Sequence, residues 1–210
     1  MNDRKHPKNY QVKFSSSVDW EDADILTDFS FPWLEKEAPR TEFRALWNGA
    51  DFHFRFDVED RDLVLDESGE PDRAVLGSDR VEIFFSPTAE LSEPYYGIEM
   101  EPRGGVYDYQ GIYHRKFSPQ WKMPGLEFLG KIREGDGYSV TGKIPVETLQ
   151  ELRCLTDGEA VAGVYRAEFS HLPDGSIRED WISWVDPETV TPDFHVPSSF
   201  GRFIFNPNHG

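Results

Sequence analysis

Three pairs of charged residues stand two positions apart in this chain: Arg80 and Glu82, Glu99 and Glu101, Arg166 and Glu168. On an extended strand, residues two apart point to the same side. Guanidinium and carboxylate groups make planar, charge-assisted hydrogen bonds. Neighbouring strands carrying such pairs would form a polar patch that grips a hydroxyl-rich ligand, or a face whose charges pair with one another across the sheet. Trp181 and Trp184 are three apart, so on a strand they face opposite sides. One can enter the interior while the other meets a ligand. An indole offers an apolar face to the C–H side of a sugar ring and keeps a polar N–H at its edge. These residue types point to carbohydrate binding. Trp184, Tyr96 and Phe194 are the candidate stacking rings. Arg80, Glu82, Glu99 and Arg166 are the candidate hydroxyl ligands. His195, in Asp193-Phe194-His195-Val196-Pro197, is either a donor to the ligand or a satisfied structural histidine.

A second constellation is acidic: Asp57, Glu59, Asp60 and Asp62, with Asp66 and Glu67 beyond. Clustered carboxylates hold calcium through several oxygens, so Asp57, Asp60 and Asp62 are the candidate metal ligands, the alternative being a solvated acidic loop. The glycine and glutamate of an EF-hand loop are missing. No nucleophile elbow, phosphate loop, dinucleotide fingerprint or zinc spacing occurs. Glu82 and Glu99 could serve as the two acids of a glycoside hydrolase, but among 39 acidic residues a chance pair is expected. Catalysis is therefore the weaker reading. The single cysteine, Cys154, has no base partner in the sequence and reads as a small core residue.

These side chains need strands to position them, and alternation supplies the strands. In Asp51–Glu59, Phe52, Phe54, Phe56 and Val58 alternate with polar residues. The same period of two marks Thr41–Trp47, Arg80–Phe85, Tyr95–Glu101, Tyr138–Ile144 and Gly163–His171. Shorter runs are Tyr10–Phe14, Val106–Tyr109, Leu126–Ile132 and Arg202–Phe205. Asn48-Gly49 between two runs is a hairpin signal. Pro145–Leu152 is a short helix with proline at its first position. About ten strands joined by short turns predict an all-β chain: an antiparallel, jelly-roll-like β-sandwich of two sheets with one or two short helices, as a single domain over residues 1–210. The segments Arg61–Ser78 and Pro173–Ser199 read as long loops.

A formal charge of −17 repels phosphate backbones and anionic bilayers, so nucleic acid and membrane are not expected partners. Met1–Phe14 is charged and lacks the apolar stretch of a signal peptide. The chain as given reads as cytoplasmic, or as extracytoplasmic if a signal was removed. At 210 residues it buries enough surface to need no cofactor for folding.

Several segments in order resemble the family 9 carbohydrate-binding modules. They are Phe43-Arg44-Ala45-Leu46-Trp47, Phe52 to Asp60, Ser78-Asp79-Arg80-Val81-Glu82-Ile83-Phe84-Phe85, Tyr95 to Met100, Trp181 to Pro187, and Phe194 to Pro197 running into Phe200-Gly201. The resemblance implies a β-sandwich, a sugar clamped between aromatic rings, and structural calcium. It also implies attachment to enzymes acting on plant polysaccharides such as glucan or xylan. By motif position Glu82 matches an acidic sugar contact and Trp184 a clamp tryptophan. Two departures stand out. Asp72 to Gly77 holds no aromatic where a second clamp tryptophan is expected, and Glu99 and Glu101 replace an expected arginine and asparagine. Related sandwiches bind haem through methionine and histidine, so Met100 with His195 or His171 gives a second reading, electron transfer. An accessory domain of a glycoside hydrolase is a third.

Overall fold

A computed structural model of the chain describes residues 8–207. Met1–Pro7, part of the charged N-terminal stretch, lies outside them. Twelve strands form: β1 (Asn9–Phe14), β2 (Thr41–Trp47), β3 (Asp51–Glu59), β4 (Arg80–Ser86), β5 (Tyr95–Met100), β6 (Val106–Ile112), β7 (Lys116–Ser118), β8 (Glu127–Arg133), β9 (Gly137–Pro145), β10 (Glu159–His171), β11 (Ile177–Ser183) and β12 (Gly201–Phe205). Two one-and-a-half-turn helices, α1 (Pro71–Leu76) and α2 (Val146–Glu151), and a 3₁₀ turn at Pro197–Ser199 complete the described elements. All ten expected strands are present. β7 and β11 were not expected: β7 is only three residues long, and β11 opens on Ile177-Arg178-Glu179-Asp180, which has no alternation.

The strands follow one hydrogen-bonded path, β7-β6-β5-β4-β10-β12-β1-β2-β3-β9-β8, with β11 paired to the far part of β10. This path corrects the expectation of two separate antiparallel sheets. β1 joins the halves. Its first part, Asn9–Val12, pairs in parallel with Arg202–Phe205 of β12. Its last two residues, Lys13 and Phe14, pair in parallel with Leu46 and Trp47 of β2. The other strand pairs are antiparallel. The two pairings of β1 do not overlap along its length, and at this strand the sheet divides into a first leaf (β4–β7, β10–β12) and a second leaf (β2, β3, β8, β9).

The two leaves close on the alternating apolar residues. Phe43 of β2 stacks on Phe203 of β12 with centroids 5.6 Å apart, and Phe52 of β3 meets Phe85 of β4 edge-on at 5.9 Å. Phe54, Phe56, Val81, Ile83, Ile98, Met100, Val140 and Val164 fill the space between. Cys154 belongs to this core, and burial pushes its thiol up to about 12, which suits the packing role expected of it. At the far rim the backbone of Pro102, in the β5–β6 turn, lies where a Cβ on Gly130 of edge strand β8 would sit. Only glycine permits that approach, which brings the two leaves together at this rim.

The leaves differ on their outer faces. The second leaf follows its alternation: β3 reads buried and half-buried by turns. In the first leaf, every residue of β4 and of β5 is buried. The polar residues of these strands were expected at the surface. They lie instead beneath the chain segment after β11, which folds back over the leaf and drives Phe194 onto Tyr165, stacked at 4.2 Å.

Candidate functional site

The covered outer face of the first leaf is paved with aromatic rings: Phe84, Tyr95, Tyr109, Tyr165, Phe194 and Phe200 form a second apolar cluster. Glycines make room for them. Gly97 lies opposite Tyr109, and Gly111 opposite Tyr95. A Cβ on either would run into the phenol ring. The rings thus lie flat on bare backbone and leave depth above them.

That depth becomes a cleft of about 400 Å³. Register dictates its floor. Trp181 of β11 faces Ala167 of β10, and Ala167 faces Arg80 of β4. One step along, Tyr165, Glu82, Glu99 and Tyr107 follow one another across four strands. The small Ala167 leaves Arg80 open to the neighbouring indole, and the guanidinium carbon sits 5.3 Å from the Trp181 ring centroid. Arg80 Nε donates to Glu99 Oε2 at 2.7 Å and lies 3.0 Å from Glu82 Oε1. The Tyr109 hydroxyl donates to Glu99 Oε1 at 3.1 Å. Burial, and then the adjacent Glu99 carboxylate, push the Glu82 carboxyl up. Glu82, Glu99 and Arg80 thus form one buried ion-paired unit on the floor.

The walls come from the edge strands and the loops beside them. Phe117 of β7, Trp181 of β11 and Phe194 supply apolar surface, and Arg115 and Asp193 charge. Arg115 Nη2 donates to Asp193 Oδ1 at 3.1 Å, and His114 pairs with the other Asp193 oxygen at 2.7 Å. The segment after β6 is thereby linked to the segment after β11 across one side of the cleft. His195 lines the cleft, with Nδ1 2.9 Å from the Tyr95 hydroxyl. Burial, followed by the Arg115 charge, drives its pKa down to about 3. The imidazole is neutral at ordinary pH and can accept or donate a hydrogen bond.

Five of the eight expected ligand-contacting residues therefore converge: Arg80, Glu82, Glu99, Phe194 and His195. The other three lie on the inner side of the leaf. Trp184 is 1% exposed and packs on Phe203. Tyr96 belongs to the main core beside Trp121, at 4.9 Å. Arg166, 0% exposed, faces inward next to Val81. In this arrangement Trp184 cannot stack on an external ring. Its partner three residues earlier, Trp181, takes the position facing the cleft. Spacing showed that the two indoles part company, and the sequence held no signal for which goes in. Arg115, Phe117, Tyr107 and Asp193 were missed. Phe117, Arg115 and Asp193 lie on a short strand, a turn and a loop without periodicity, and Tyr107 lies on an expected strand but was not singled out. Glu101 turns away to accept the Gly105 N–H at 2.7 Å and close the β5–β6 turn.

The expected metal set also divides. Asp57 accepts from Arg55 Nε at 2.6 Å and Arg44 Nη1 at 3.2 Å on the outer face of the second leaf. Asp62 binds His171 through both backbone and side chain, each at 2.8 Å. Only Asp60 turns inward, where its carboxylate joins those of Asp79 and Glu168, with one oxygen of each within 4.8 Å of the others. Asp79 is held by the backbone N–H groups of Val64 at 2.6 Å and Phe169 at 2.7 Å. Arg166 pairs with Glu168 and lies 3.6 Å from Asp60 Oδ2. Desolvation raises all three acids: Asp60 in direction, Asp79 to about 8 and Glu168 to about 7. Asp60 Oδ2, Tyr138 Oη and Arg166 Nε lack hydrogen-bond partners although buried. Buried groups of this kind are normally satisfied. An oxygen-ligand cation carrying water suits that donor set: the carboxylates would hold the ion, and Arg166 Nε would donate to a water.

The haem reading does not survive the geometry. Met100 is sealed in the core between the leaves, and His195 stands on the opposite face of the same leaf against Phe84, at 5.2 Å. His171 is engaged with Asp62 at the surface. None of these histidines can meet the Met100 sulfur across one metal.

The fold and the cleft define a β-sandwich-like binding module with a ring-lined, charge-floored site. A family model described as carbohydrate family 9 binding domain-like matches residues 17–207. The chain belongs to that family. Solved structures agree in fold. A Bacteroides uniformis ATCC 8492 protein provisionally described as carbohydrate-binding is 18% identical, with 95% of this chain and 100% of that one covered at a TM-score of 0.71. A family 9 carbohydrate-binding module from Caldicellulosiruptor kristjanssonii, in complex with cellotriose, is 16% identical over 94% and 93% at a TM-score of 0.56. A family 9 carbohydrate-binding module from the same organism, in complex with glucose, is 16% identical over 95% and 96% at a TM-score of 0.57. A search of curated proteins finds no match.

Proposed function

We propose that the chain is a non-catalytic carbohydrate-binding module whose site is the Trp181 cleft. The observation that carries this reading is the convergence of exposed ring faces with a buried guanidinium–carboxylate unit in one concave space of about 400 Å³. Trp181 and Phe117 would contact the apolar side of a sugar ring. Arg80, Glu82 and Glu99 would meet its hydroxyls, with His195 at the back. The cellotriose and glucose held by the Caldicellulosiruptor module favour a neutral, plant-type glucan or xylan as ligand. Binding rather than hydrolysis is supported by the placement of the two acids. Glu82 and Glu99 lie side by side on adjacent strands and lean on the same arginine nitrogen, whereas glycosidic cleavage needs acids flanking the bond. A structural calcium at Asp60, Asp79 and Glu168 is part of this proposal. It would neutralise the buried acids and tie the end of β3 to β10.

The test is calorimetry with cello- and xylo-oligosaccharides. Trp181→Ala should weaken binding at least about tenfold while leaving the melting temperature nearly unchanged. Equal affinity in the variant, or no oligosaccharide bound by the parent protein, would remove the cleft as the site.

A further inference from the structure

The outer face of the second leaf holds another concavity, with a volume of about 520 Å³, lined by Trp20, Glu21, Ala23, Ile25, Glu42, Arg44, Arg55 and Asp57. Its floor is a charged lattice set by register. Glu42 faces Asp57, and Arg44 faces Arg55, across β2 and β3. Arg44 Nη2 lies 2.7 Å from Glu42 Oε2, and Arg55 Nη2 donates to Asp57 Oδ1 at 2.8 Å. Its wall is the chain between β1 and β2, and that wall is fixed. The Tyr10 hydroxyl donates to Asp24 O at 2.7 Å. Ser15 Oγ donates to Asp22 Oδ2 at 2.9 Å. Leu26 and Phe43 exchange backbone hydrogen bonds at 2.9 and 3.0 Å.

On this wall stands Trp20, half-buried. Its indole makes no hydrogen bond and no ring contact among the described residues, unlike Trp33 and Trp47, whose N–H groups reach Thr189 O and Asn206 O at 2.9 Å each. Ile25 beside it is 53% exposed. The two guanidiniums and the two carboxylates of the floor pair with one another, and Glu21 on the wall leaves the lining with one net negative charge. A polyanion is repelled by the groove and by a chain of net charge −17 alike, and the carboxylates of the floor are already engaged by its guanidiniums. A neutral polyhydroxylated chain fits both surfaces: its apolar ring faces against Trp20 and Ile25, its hydroxyls against the charged lattice and the open indole N–H.

We infer that this groove is a second saccharide-binding surface, on the leaf opposite the cleft, taking the interior of a neutral polysaccharide. It stands on the second leaf's own residues, independently of the Trp181 site. Two weak sites on one module raise avidity for a long chain without either being strong alone.

Affinity electrophoresis in gels containing soluble xylan, mixed-linkage β-glucan or glucomannan tests it on the full chain. Trp20→Ala should reduce retardation by roughly threefold or more in the gel that retards the parent, as expected for loss of one stacking ring. Arg55→Ala, which leaves Asp57 paired to Arg44, should reduce it in the same gel. Melting curves of both variants should stay close to the parent's. Trp181→Ala should keep residual retardation that the double variant with Trp20→Ala loses. Retardation abolished by Trp181→Ala and untouched by Trp20→Ala and Arg55→Ala would overturn the groove and leave the cleft standing. No retardation of the parent in any of the three gels would overturn the groove as well.

Discussion

Arg80 and Arg166 sit on adjacent strands and on opposite faces of one leaf, and each is buried among glutamates and aspartates. Arg80, 5% exposed at its side chain, is the floor of an open cleft. Arg166, at 0%, is sealed between the leaves, where it also donates to Thr41 Oγ1 and Glu59 O at 3.0 Å each. Both keep costly charges out of water. The first cluster has a concave opening above it and ring faces beside it, so its polar atoms can be offered to a ligand. The second has none, and its remaining hydrogen-bonding capacity points to an ion and water. Under the proposed function, identical residue types serve as a binding floor or a structural clasp according to what lies overhead.

Substitutions at the two clusters should therefore have opposite signatures. The largest stability effect belongs to the sealed side. Arg166→Met leaves buried carboxylates without their cation and should cost about 3–5 kcal/mol, read as a lower urea midpoint, with oligosaccharide affinity of the folded fraction unchanged. A similar loss of about 3–5 kcal/mol is expected for Trp184→Ala, in contrast to its neighbour Trp181. If Trp184→Ala melted like the parent but bound sugar poorly, the assignment of the two indoles would have to be reversed.

Of intermediate size is Gly97→Ala. The added methyl meets the Tyr109 ring, which holds Glu99 from below, so overpacking should cost about 1–3 kcal/mol and should also lower affinity. A variant that loses stability but keeps full affinity would separate the paving from the site.

The pH dependence of stability isolates the acid cluster. A carboxyl whose folded pKa is raised binds more protons folded than unfolded. Its effect is absent below about 4, and stability is lost as pH rises toward about 7 for Glu168 and about 8 for Asp79, levelling off beyond. In chelator, the parent should show this decline, Glu168→Gln should show less of it, and millimolar calcium should flatten it. Superimposable curves with and without calcium would dispose of the cation while leaving the clasp intact.

Much of this molecule was legible in the chain. Phe52, Phe54, Phe56 and Val58 could only form a strand with one oily side, and the ten alternating runs all became strands. Arg80 and Glu82 share a face because side chains on a strand repeat every two residues, and Glu99 joins them by its register with Glu82. β7 and β11 escaped because one is too short and the other too polar to alternate, yet both border the cleft.

The sequence by itself determined the strands, their two-sidedness and the residue types on each side, because these follow from local geometry within a few bonds. The tertiary structure alone decided which side faced in. Trp181 and Trp184 are equally hydrophobic, and Arg80 and Arg166 equally charged. Their fates were set by the fold-back of the segment carrying Phe194 and by the division of the sheet at β1, contacts between residues far apart in the chain.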